Sequence, residues 1–225
     1  MRAPLSIILP TLNAESDLPG VFSALMEGVA TGLLRELLVS DGGSSDASCE
    51  IARRAGAEVI PGPAGRGGQL ARGAAVAQGD WLLFLHADSW PAPGWAEIVA
   101  THMLTRSDQA AAFRLAFRAS GPGARLTAGW ANLRTRLFHM PYGDQGLLIS
   151  RALYDSTGGF ADIPLMEDVA MARALGRRLR LMDHEISTDA GRYLAQGWLR
   201  RGAKNWWTMT RFLAGTDPEI LAKRY

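Results

Sequence analysis

Short apolar runs alternate with helical patterns through the first half of the chain. Residues 5–9, 37–39 and 81–85 are almost wholly aliphatic or aromatic, which is typical of strands buried on both faces. Apolar or alanine-rich residues at helical spacing predict helices at 18–29, 45–55 and 69–77, and a short strand is predicted at 57–60. Repeated strand–helix units of this kind predict an α/β fold with a doubly wound, largely parallel sheet.

The second half of the chain is less regular, but the same two patterns recur. Weak alternation over 110–118 and short apolar runs at 146–150 and 179–182 predict three more strands. Helices are predicted at 126–138, from Met166 to about Leu175, and at 198–213. Because the sequence contains no internal repeat, low-complexity tract or linker, we expect residues 1–225 to form one domain.

Polar residues follow three of the predicted strands directly. The first strand leads into residues 10–13, the second into residues 40–46, and the third into His86, Ala87 and Asp88. In a parallel sheet the carboxyl ends of the strands share one edge, and ligands bind along that edge. The sequence therefore predicts that these three segments converge on one binding site.

Asp41, His86 and Asp88 are the first candidates for chemistry at this site. The carboxylate of Asp41 suits a base or a ribose, and Gly42 lets the backbone approach a ligand closely; the alternative is an ordinary Asp-Gly turn. A divalent cation is the usual means of holding a diphosphate. Carboxylate oxygens suit Mg²⁺ or Mn²⁺, so Asp88 is the predicted ligand. His86 is either a second ligand or a lining residue.

Two further segments bring arginine or carboxylates to helix starts. Arg66, followed by two glycines and Gln69, suits contact with phosphate groups, although an ordinary solvent loop is the alternative. Glu167 and Asp168 open a helix, where a carboxylate either complements the helix dipole or deprotonates a hydroxyl group. Beside the upstream motifs we favour Asp168 as a general base. The chain lacks both the P-loop and the Gly-x-Gly-x-x-Gly signature, which disfavours those nucleotide-binding classes.

Composition and charge limit which binding partners and which cellular compartment are expected for this chain. The formal net charge is only +2, so we expect no nucleic-acid partner even though the sequence pI is about 9.0. A single cysteine, Cys49, fits a reducing compartment. The chain has no apolar run long enough to span a membrane and no signal-peptide pattern at its N-terminus. A cytoplasmic protein is therefore expected.

The joint pattern of these motifs resembles the family 2 glycosyltransferases. Residues 7–13 resemble the opening strand and nucleotide-binding turn of that family, residues 39–46 its second nucleotide motif, residues 86–88 its Asp-x-Asp metal motif, and residues 166–168 its acidic general-base motif. The resemblance runs from about residue 5 to residue 192. It implies the GT-A fold, with a Rossmann-like, mostly parallel central sheet flanked by helices. About 1–115 would form the nucleotide-binding half and about 116–225 the acceptor-side half with its C-terminal helices.

The resemblance implies an inverting enzyme that transfers one sugar from a UDP- or GDP-linked donor to an acceptor hydroxyl group. The general base would be Asp168, with Glu167 beside it, and Mn²⁺ or Mg²⁺ would be held by Asp88 and His86. Asp144, Gln145 and Arg192 are expected near the acceptor or the diphosphate. The residues expected to bind the nucleotide are Pro10, Thr11, Leu12, Asn13, Glu15, Asp41, Gly42, Arg66, Gln69 and Ala87.

Two departures from the family pattern qualify this reading. His86 stands where the family has the first aspartate of Asp-x-Asp, which leaves the identity of the metal open and keeps a catalytically silent sugar-nucleotide-binding protein as an alternative. A nucleotidyltransferase is disfavoured because no glycine- and lysine-rich loop follows the first strand. The Gln-x-x-Arg-Trp motif of processive synthases is also absent, which favours transfer of one sugar over polymerisation.

Two features concern the C-terminal part of the chain. The compact length, residues 142–146 and the ending at 221–225 resemble a subgroup of small standalone bacterial members that is associated with radical-SAM or arsenosugar gene neighbourhoods. The helix at 198–213 is rich in tryptophan and basic residues. Such a helix either packs on the domain or makes peripheral contact with a membrane, here the inner membrane face.

Overall fold

The computed structural model describes residues 3–223, and its eight strands there form one mixed sheet. The strands are β1 (Leu5–Thr11), β2 (Leu34–Asp41), β3 (Glu58–Pro61), β4 (Trp81–Phe84), β5 (Trp90–Pro91), β6 (Ala110–Phe117), β7 (Leu147–Ser150) and β8 (Leu179–Thr188). The helices are α1 (Leu18–Ala30), α2 (Ser48–Arg54), α3 (Arg66–Val76), α4 (Trp95–Thr105), α5 (Pro122–Phe138), α6 (Arg151–Ser156), α7 (Glu167–Leu175), α8 (Gly191–Gln196), α9 (Trp198–Leu213) and α10 (Pro218–Ala222), with 3₁₀ turns at Gly143–Gln145 and Gly176–Arg178.

The strand order across the sheet is β3-β2-β1-β4-β7-β6-β8-β5. Strands β1 to β4 are parallel, which confirms the predicted parallel sheet for the first half of the chain. Strand β7 is antiparallel to both of its neighbours, β4 and β6. It begins at the carboxyl edge of β4, directly after the 3₁₀ turn Gly143–Gln145, and can only run away from that edge. This reversal brings a segment of the second half to the edge where the polar strand ends meet.

The alternation of side chains along the strands divides the core between the two faces of the sheet. In β1, Ile7 and Leu9 face a cluster shared with α1, α2 and α4. Ile8 faces the opposite cluster, which contains residues of α3, α6 and α7. Because both faces are covered, β1 and β4 are buried along almost their whole length and read as continuous apolar runs in the sequence.

Helix α3 lies unusually close to the sheet. A Cβ atom at Gly73 would come within 2.5 Å of the side chain of Ile8, so this position needs glycine. The close packing places the first residue of α3, Arg66, near the carboxyl ends of the central strands. Arg66 therefore starts its helix at the edge where the predicted site lies.

The second half also contains elements that the apolar pattern did not indicate. Strand β8 runs to Thr188, beyond the predicted end at 182, because Asp183 and Glu185 both pair with Arg114 of the neighbouring β6. These charged residues interrupt the apolar run but not the strand. Helices α4, α8 and α10 and the short β5 were likewise not predicted.

Within residues 3–223, no helix is both long and apolar enough to cross a bilayer. Arg224 and Tyr225, the last residues of the ending that resembles the bacterial subgroup, lie outside the described residues.

Candidate active site

A cleft of about 630 Å³ opens at the carboxyl edge of the sheet. It is lined by residues that follow β1 and β4, by the start of α3, by the 3₁₀ turn before β7 and by the region of α7 and α8. Clefts of this size accommodate a substrate or cofactor. The predicted site residues that line it are Pro10, Thr11, Leu12, Asn13, Arg66, Gln69, His86, Ala87, Asp88, Asp144, Asp168 and Arg192.

Asp41 lies beside this cleft, behind its wall, and organises the turn after β2. Its Oδ2 accepts hydrogen bonds from the backbone N–H groups of Gly43 (2.8 Å) and Ser44 (2.9 Å), and its Oδ1 accepts from the Ser44 hydroxyl (2.5 Å) and the Thr11 hydroxyl (3.3 Å). Burial alone would raise the pKa of Asp41, but the hydrogen bonds from Ser44 and Gly43, with a further one from Cys49, outweigh it, so the pKa lies below its ordinary value. The carboxylate is therefore charged and fixed.

The turn after β1 is joined to the turn after β2 by reciprocal hydrogen bonds. Asn13, in the left-handed region at φ 52°, donates its backbone N–H to the Ser44 hydroxyl and accepts from the Ser45 N–H at its side chain. Glu15 accepts from the N–H of Ala47, just before α2. Glu15 does not line the cleft. These contacts hold the first two strand ends in register, while Leu12 remains half exposed at the rim.

Gln69 is buried and fixes the same strand ends from the side of α3. Its Nε2 donates to the carbonyl oxygens of Thr11 and Ser40, at 2.8 Å each, and its Oε1 accepts from the N–H of Gly65. A Cβ atom at Gly42 would lie 3.1 Å from the Gln69 amide. The small residue at 42 thus makes room for Gln69, and Gly42 does not line the cleft.

Arg66 lies against the two acidic residues at the start of α7. Its Nε donates to the Glu167 carboxylate, and its Nη2 is 4.0 Å from Oδ2 of Asp168. The glycines after Arg66 have a packing role, because a Cβ atom at Gly67 would come within 2.2 Å of the Ala161 carbonyl oxygen. The solvent-loop alternative for this segment is wrong, since α3 begins at Arg66 itself.

Asp168 and Glu167 take different positions although they are adjacent in sequence. Asp168 lines the cleft, and its Oδ2 accepts from the N–H of Gly143 at 2.7 Å while its Oδ1 accepts from the N–H of Val169 at 2.8 Å. Glu167 is 1% exposed and does not line the cleft. Burial and the neighbouring Asp168 raise the pKa of Glu167, whereas Arg66 lowers it. Of the two, only Asp168 presents its carboxylate to a substrate.

Met166, the residue before this pair, adopts a left-handed conformation at φ 68°. Such a backbone is costly for a side chain with a Cβ atom and concentrates at functional sites. Here the left-handed residue stands immediately before α7, which begins at Glu167. Asp168, the second residue of that helix, lines the cleft.

Asp88 lies at the other side of the cleft within a group of three carboxylates. Burial raises the pKa of Asp88, nearby Arg118 lowers it, and Asp189 raises it further. Burial and Asp88 likewise raise the pKa of Asp17. The Arg118 guanidinium donates to the carbonyl oxygen of Asp88 at 2.6 Å and lies 3.9 Å from Asp17. One arginine thus faces three acids, and the region retains an excess of negative charge.

His86 and Asp144 occupy the floor between Asp88 and Asp168. Burial lowers the pKa of His86 to about 3, with a further contribution from Arg66, so the imidazole is neutral at pH 7. Burial raises the pKa of Asp144 to about 6. Oδ1 of Asp144 is buried and has no hydrogen-bond partner among the described residues. An unsatisfied carboxylate in a cleft marks a ligand-binding position.

Gln145 lies behind the cleft wall and is fully buried. Its side chain accepts from the Thr135 hydroxyl at 2.8 Å and donates to the Phe113 carbonyl oxygen at 3.0 Å. It therefore joins the 3₁₀ turn to α5 and β6, and it does not line the cleft with Asp144 and Arg192.

The side chains of the cleft suit a divalent ion that is held partly by the protein and partly by a bound substrate. Among residues 3–223, no group of three or more His, Cys, Asp or Glu side chains is arranged to hold a metal. Mg²⁺ in particular is commonly held by one or two carboxylates together with substrate phosphates. Asp88, which has Asp189 near it and accepts a 3.4 Å hydrogen bond from Ser89 at its carboxylate, fits that arrangement.

The model of glycosyl transferase family 2 matches residues 6–160, which is more than half of the chain. The chain belongs to glycosyltransferase family 2. The resemblance read from the motifs is thereby confirmed, and the protein is a glycosyltransferase rather than a nucleotidyltransferase. None of the curated proteins compared matches this glycosyltransferase.

Solved structures of a GT-A glycosyltransferase share the fold. The glucosyl-3-phosphoglycerate synthase of Mycobacterium tuberculosis, in complex with Mn²⁺, UDP and phosphoglyceric acid, is 25% identical with a TM-score of 0.58, over 81% of this chain and 69% of that chain. Its complex with Mg²⁺ and UDP is 25% identical with a TM-score of 0.60, over 81% and 69% of the two chains. The expected GT-A fold is confirmed.

Several cleft residues carried no signal strong enough to select them from the sequence. They come from turns, from the end of β8 or from the C-terminal helices, where only the fold brings them to the site: Asp17, Tyr142, Thr188, Asp189, Tyr193, Arg201 and Asn205. Asp189 was detectable in principle, because an acid directly after a strand repeats the pattern of Asp41. Its strand was predicted to end at 182, so Asp189 was not placed at a strand end.

Proposed function

We propose that this glycosyltransferase transfers one sugar, with inversion, from a UDP- or GDP-linked donor to an acceptor hydroxyl group. The observation that carries the proposal is that Asp88 and Asp168, 80 positions apart in the sequence, line the same cleft. One suits the leaving diphosphate and the other the incoming hydroxyl group. The division into a nucleotide-binding half at about 1–115 and an acceptor-side half at about 116–225 follows from the same arrangement.

The donor nucleoside would lie against the turn after β1. Thr11, Leu12 and Asn13 line that end of the cleft, and the half-exposed Leu12 offers an apolar contact for a base. Asp41 holds this turn from behind through Thr11 and Ser44. In the proposed role Asp41 positions the nucleoside pocket, and a direct contact with the base or ribose would require the ligand to reach past this turn.

The diphosphate would lie between Asp88 and Arg192. Asp88 and, if it turns toward the ion, His86 would hold Mn²⁺ or Mg²⁺, which when bound neutralises the diphosphate and favours its departure. The neutral state of His86 leaves a ring nitrogen available for this contact. Arg192, an exposed cation on α8 that lines the cleft, would bind phosphate oxygens directly.

Asp168 would act as the general base. As the acceptor oxygen bonds to the anomeric carbon, the bond from that carbon to the diphosphate oxygen breaks, and Asp168 takes the acceptor proton. Attack opposite the leaving group inverts the anomeric configuration. The hydrogen bonds from Gly143 and Val169 keep the carboxylate oriented, and Nη2 of Arg66 lies 4.0 Å from its Oδ2.

Asp144 would bind hydroxyl groups of the donor sugar, because it lines the cleft and its Oδ1 lacks a partner. A pKa near 6, above the ordinary 3.8, means that its ionisation costs the folded state stability. The contribution of Asp144 to the stability of the protein should therefore decrease as the pH rises from about 4 to about 6 and should stay reduced above that.

The Asp144→Asn variant tests this cost. It should be more stable than the wild type by about 3 kcal/mol at about pH 8, and equally stable near pH 4, because the pKa of Asp144 rises from 3.8 to about 6 and each pKa unit is worth about 1.4 kcal/mol. Urea unfolding at both pH values measures the difference. We also expect a higher KM for the donor. Equal stability at both pH values would contradict the placement of Asp144.

Metal binding should depend on the nucleotide, since the part of the chain that the structure describes offers no group of three or more His, Cys, Asp or Glu side chains to hold the ion alone. UDP or GDP should tighten Mn²⁺ binding by about 5- to 150-fold, the usual range of coupling between sites. Calorimetric titration of Mn²⁺ with and without the nucleotide measures this. A nucleoside monophosphate is the control, because it lacks the second phosphate. Equally tight Mn²⁺ binding without any nucleotide would refute a shared site.

The function itself is tested with a panel of UDP- and GDP-linked sugars in the presence of Mn²⁺. Release of nucleoside diphosphate, measured with and without candidate acceptors, identifies the donor. NMR of the product then gives the anomeric configuration, which should be inverted relative to the donor. Donor binding without any transfer would favour the silent sugar-nucleotide-binding alternative, and a retained configuration would remove Asp168 as a base.

A further inference from the structure

Helix α5 turns its large apolar side chains away from the protein. Its buried face consists largely of small residues, including Ala124, Ala128 and Ala131. Its exposed face carries four large apolar side chains at spacings of four, three and four residues, which align along one stripe. Helices of globular proteins normally direct such a stripe toward the core. The members of the stripe are Leu126, Trp130, Leu133 and Leu137.

Helix α9 extends this apolar surface. Trp206 packs beside Trp130 of α5, with 5.6 Å between the ring centroids. Leu199 and Leu213 lie seven residues to either side of Trp206, on the same face of α9, and both are exposed. Leu199 is 90% exposed. We call the exposed apolar residues of the two helices, together with the cations beside them, the α5–α9 face.

Cations accompany the apolar stripe in an ordered way. Along α9, Arg200, Lys204, Trp207 and Arg211 recur at spacings of four, three and four residues and form a row next to the stripe. Trp207 within this row is 64% exposed. Arg125 and Arg136 are both exposed on α5. Apolar residues, tryptophans and cations in adjacent rows are typical of helices that lie in a membrane interface.

The charge of this region differs sharply from that of the whole chain. Residues 122–138 and 191–216 contain eight of the 24 Lys and Arg residues and none of the 22 Asp and Glu residues. The chain as a whole has a net charge of only +2, so the remainder is net negative. Five of these eight cations, Arg125, Arg136, Arg200, Lys204 and Arg211, belong to the α5–α9 face, whereas Arg134 and Arg201 are buried and Arg192 lines the cleft.

The apolar stripe and the positive charge together indicate what kind of partner binds the α5–α9 face. In a symmetric dimer the same surface meets itself, and the cations of α5 and α9 would face one another, because neither helix contains Asp or Glu. A nucleic acid would match the charge but would leave the exposed leucines without an apolar partner. An anionic bilayer satisfies both features, since headgroups attract Lys and Arg while leucine and tryptophan enter the acyl boundary.

We propose that the α5–α9 face docks this enzyme onto an anionic lipid bilayer. The proposal does not depend on which sugar or acceptor the enzyme uses. It does place the cleft close to the lipid headgroups, because α8 and α9 also supply Arg192, Tyr193 and Asn205 to the cleft lining.

Vesicle flotation tests the proposal with the full chain. The wild type should float with phosphatidylcholine vesicles that contain phosphatidylglycerol and should remain behind with vesicles of phosphatidylcholine alone. High salt should weaken the binding, and tryptophan fluorescence should shift to the blue on binding. Failure of the wild type to bind the anionic vesicles would overturn the proposal, whatever any variant does.

Surface variants identify the face that binds. Leu199→Asp combined with Trp207→Ser, and separately Arg200→Glu combined with Arg211→Glu, should each weaken partitioning by about tenfold or more. The matched control is Leu104→Asp, because Leu104 is 86% exposed on α4, outside this face. It should bind as the wild type does. Retained binding by the face variants, or a lipid-free dimer that Leu199→Asp abolishes, would contradict the assignment.

Discussion

The Asp168→Asn variant is expected to lose turnover by about 10²- to 10⁴-fold, the usual contribution of a general base. The amide retains the shape of the carboxylate but cannot take a proton from the acceptor. Binding of the nucleotide should persist, because Asp168 lies at the opposite side of the cleft from Asp88 in the proposed arrangement. The measurements are kcat for sugar transfer and calorimetric affinity for the nucleoside diphosphate with Mn²⁺.

Glu167→Gln is the matched control, since the neighbouring carboxylate is 1% exposed and does not line the cleft. We expect it to affect kcat less than Asp168→Asn does, because it removes the ion pair with Arg66 without changing a side chain that lines the cleft. If Glu167→Gln lowers kcat more than Asp168→Asn does, Glu167 is the base and the assignment of roles within this pair is wrong.

The Asp88→Asn variant should lower turnover by about 10³-fold, because losing a metal that stabilises the leaving group removes several kcal/mol of transition-state stabilisation. Unlike Asp168→Asn, it should also abolish the coupling between Mn²⁺ and the nucleotide. Electron paramagnetic resonance of Mn²⁺ measures this coupling without reference to activity.

Asp17→Asn provides the control for charge at this end of the cleft. It removes one of the three carboxylates near Arg118 while leaving Asp88 in place. Its effect on Mn²⁺ binding in the presence of the nucleotide should be small. Coupling that survives in Asp88→Asn but disappears in Asp17→Asn would transfer the metal site to Asp17.

Much of this fold could be predicted from the sequence where local pattern and burial agree. The strand at Leu5–Thr11 is buried on both faces, so its apolar run is continuous and its position could be read directly. Helix α9 begins and ends where its pattern predicts, at Trp198–Leu213. The C-terminal half of strand β8 could not be predicted in this way, because the charged residues Asp183 and Glu185, which pair with Arg114, interrupt its apolar run.

The site residues also fall into two groups, those that could be identified from the sequence and those whose positions depend on the fold. Residues that directly follow a strand, such as Asp88, could be selected because the sheet brings the strand ends together. The contacts that give Arg66 and Gln145 their positions depend on residues far away in sequence: Arg66 meets Glu167, and Gln145 meets Phe113. Residue type alone suggested phosphate and acceptor contacts for these two. Only the packing of α3 against α7, and of the turn against β6, reveals their other partners.

A crystal structure of the enzyme with UDP or GDP and Mn²⁺ tests the central claim most directly. The account predicts the ion bonded to a carboxylate oxygen of Asp88 and to oxygens of both phosphates, with the nucleoside against Leu12 and Asn13. It also predicts an open space between the second phosphate and Asp168 that is large enough for a sugar. A nucleotide bound outside this cleft, or an ion held without Asp88, would contradict the account.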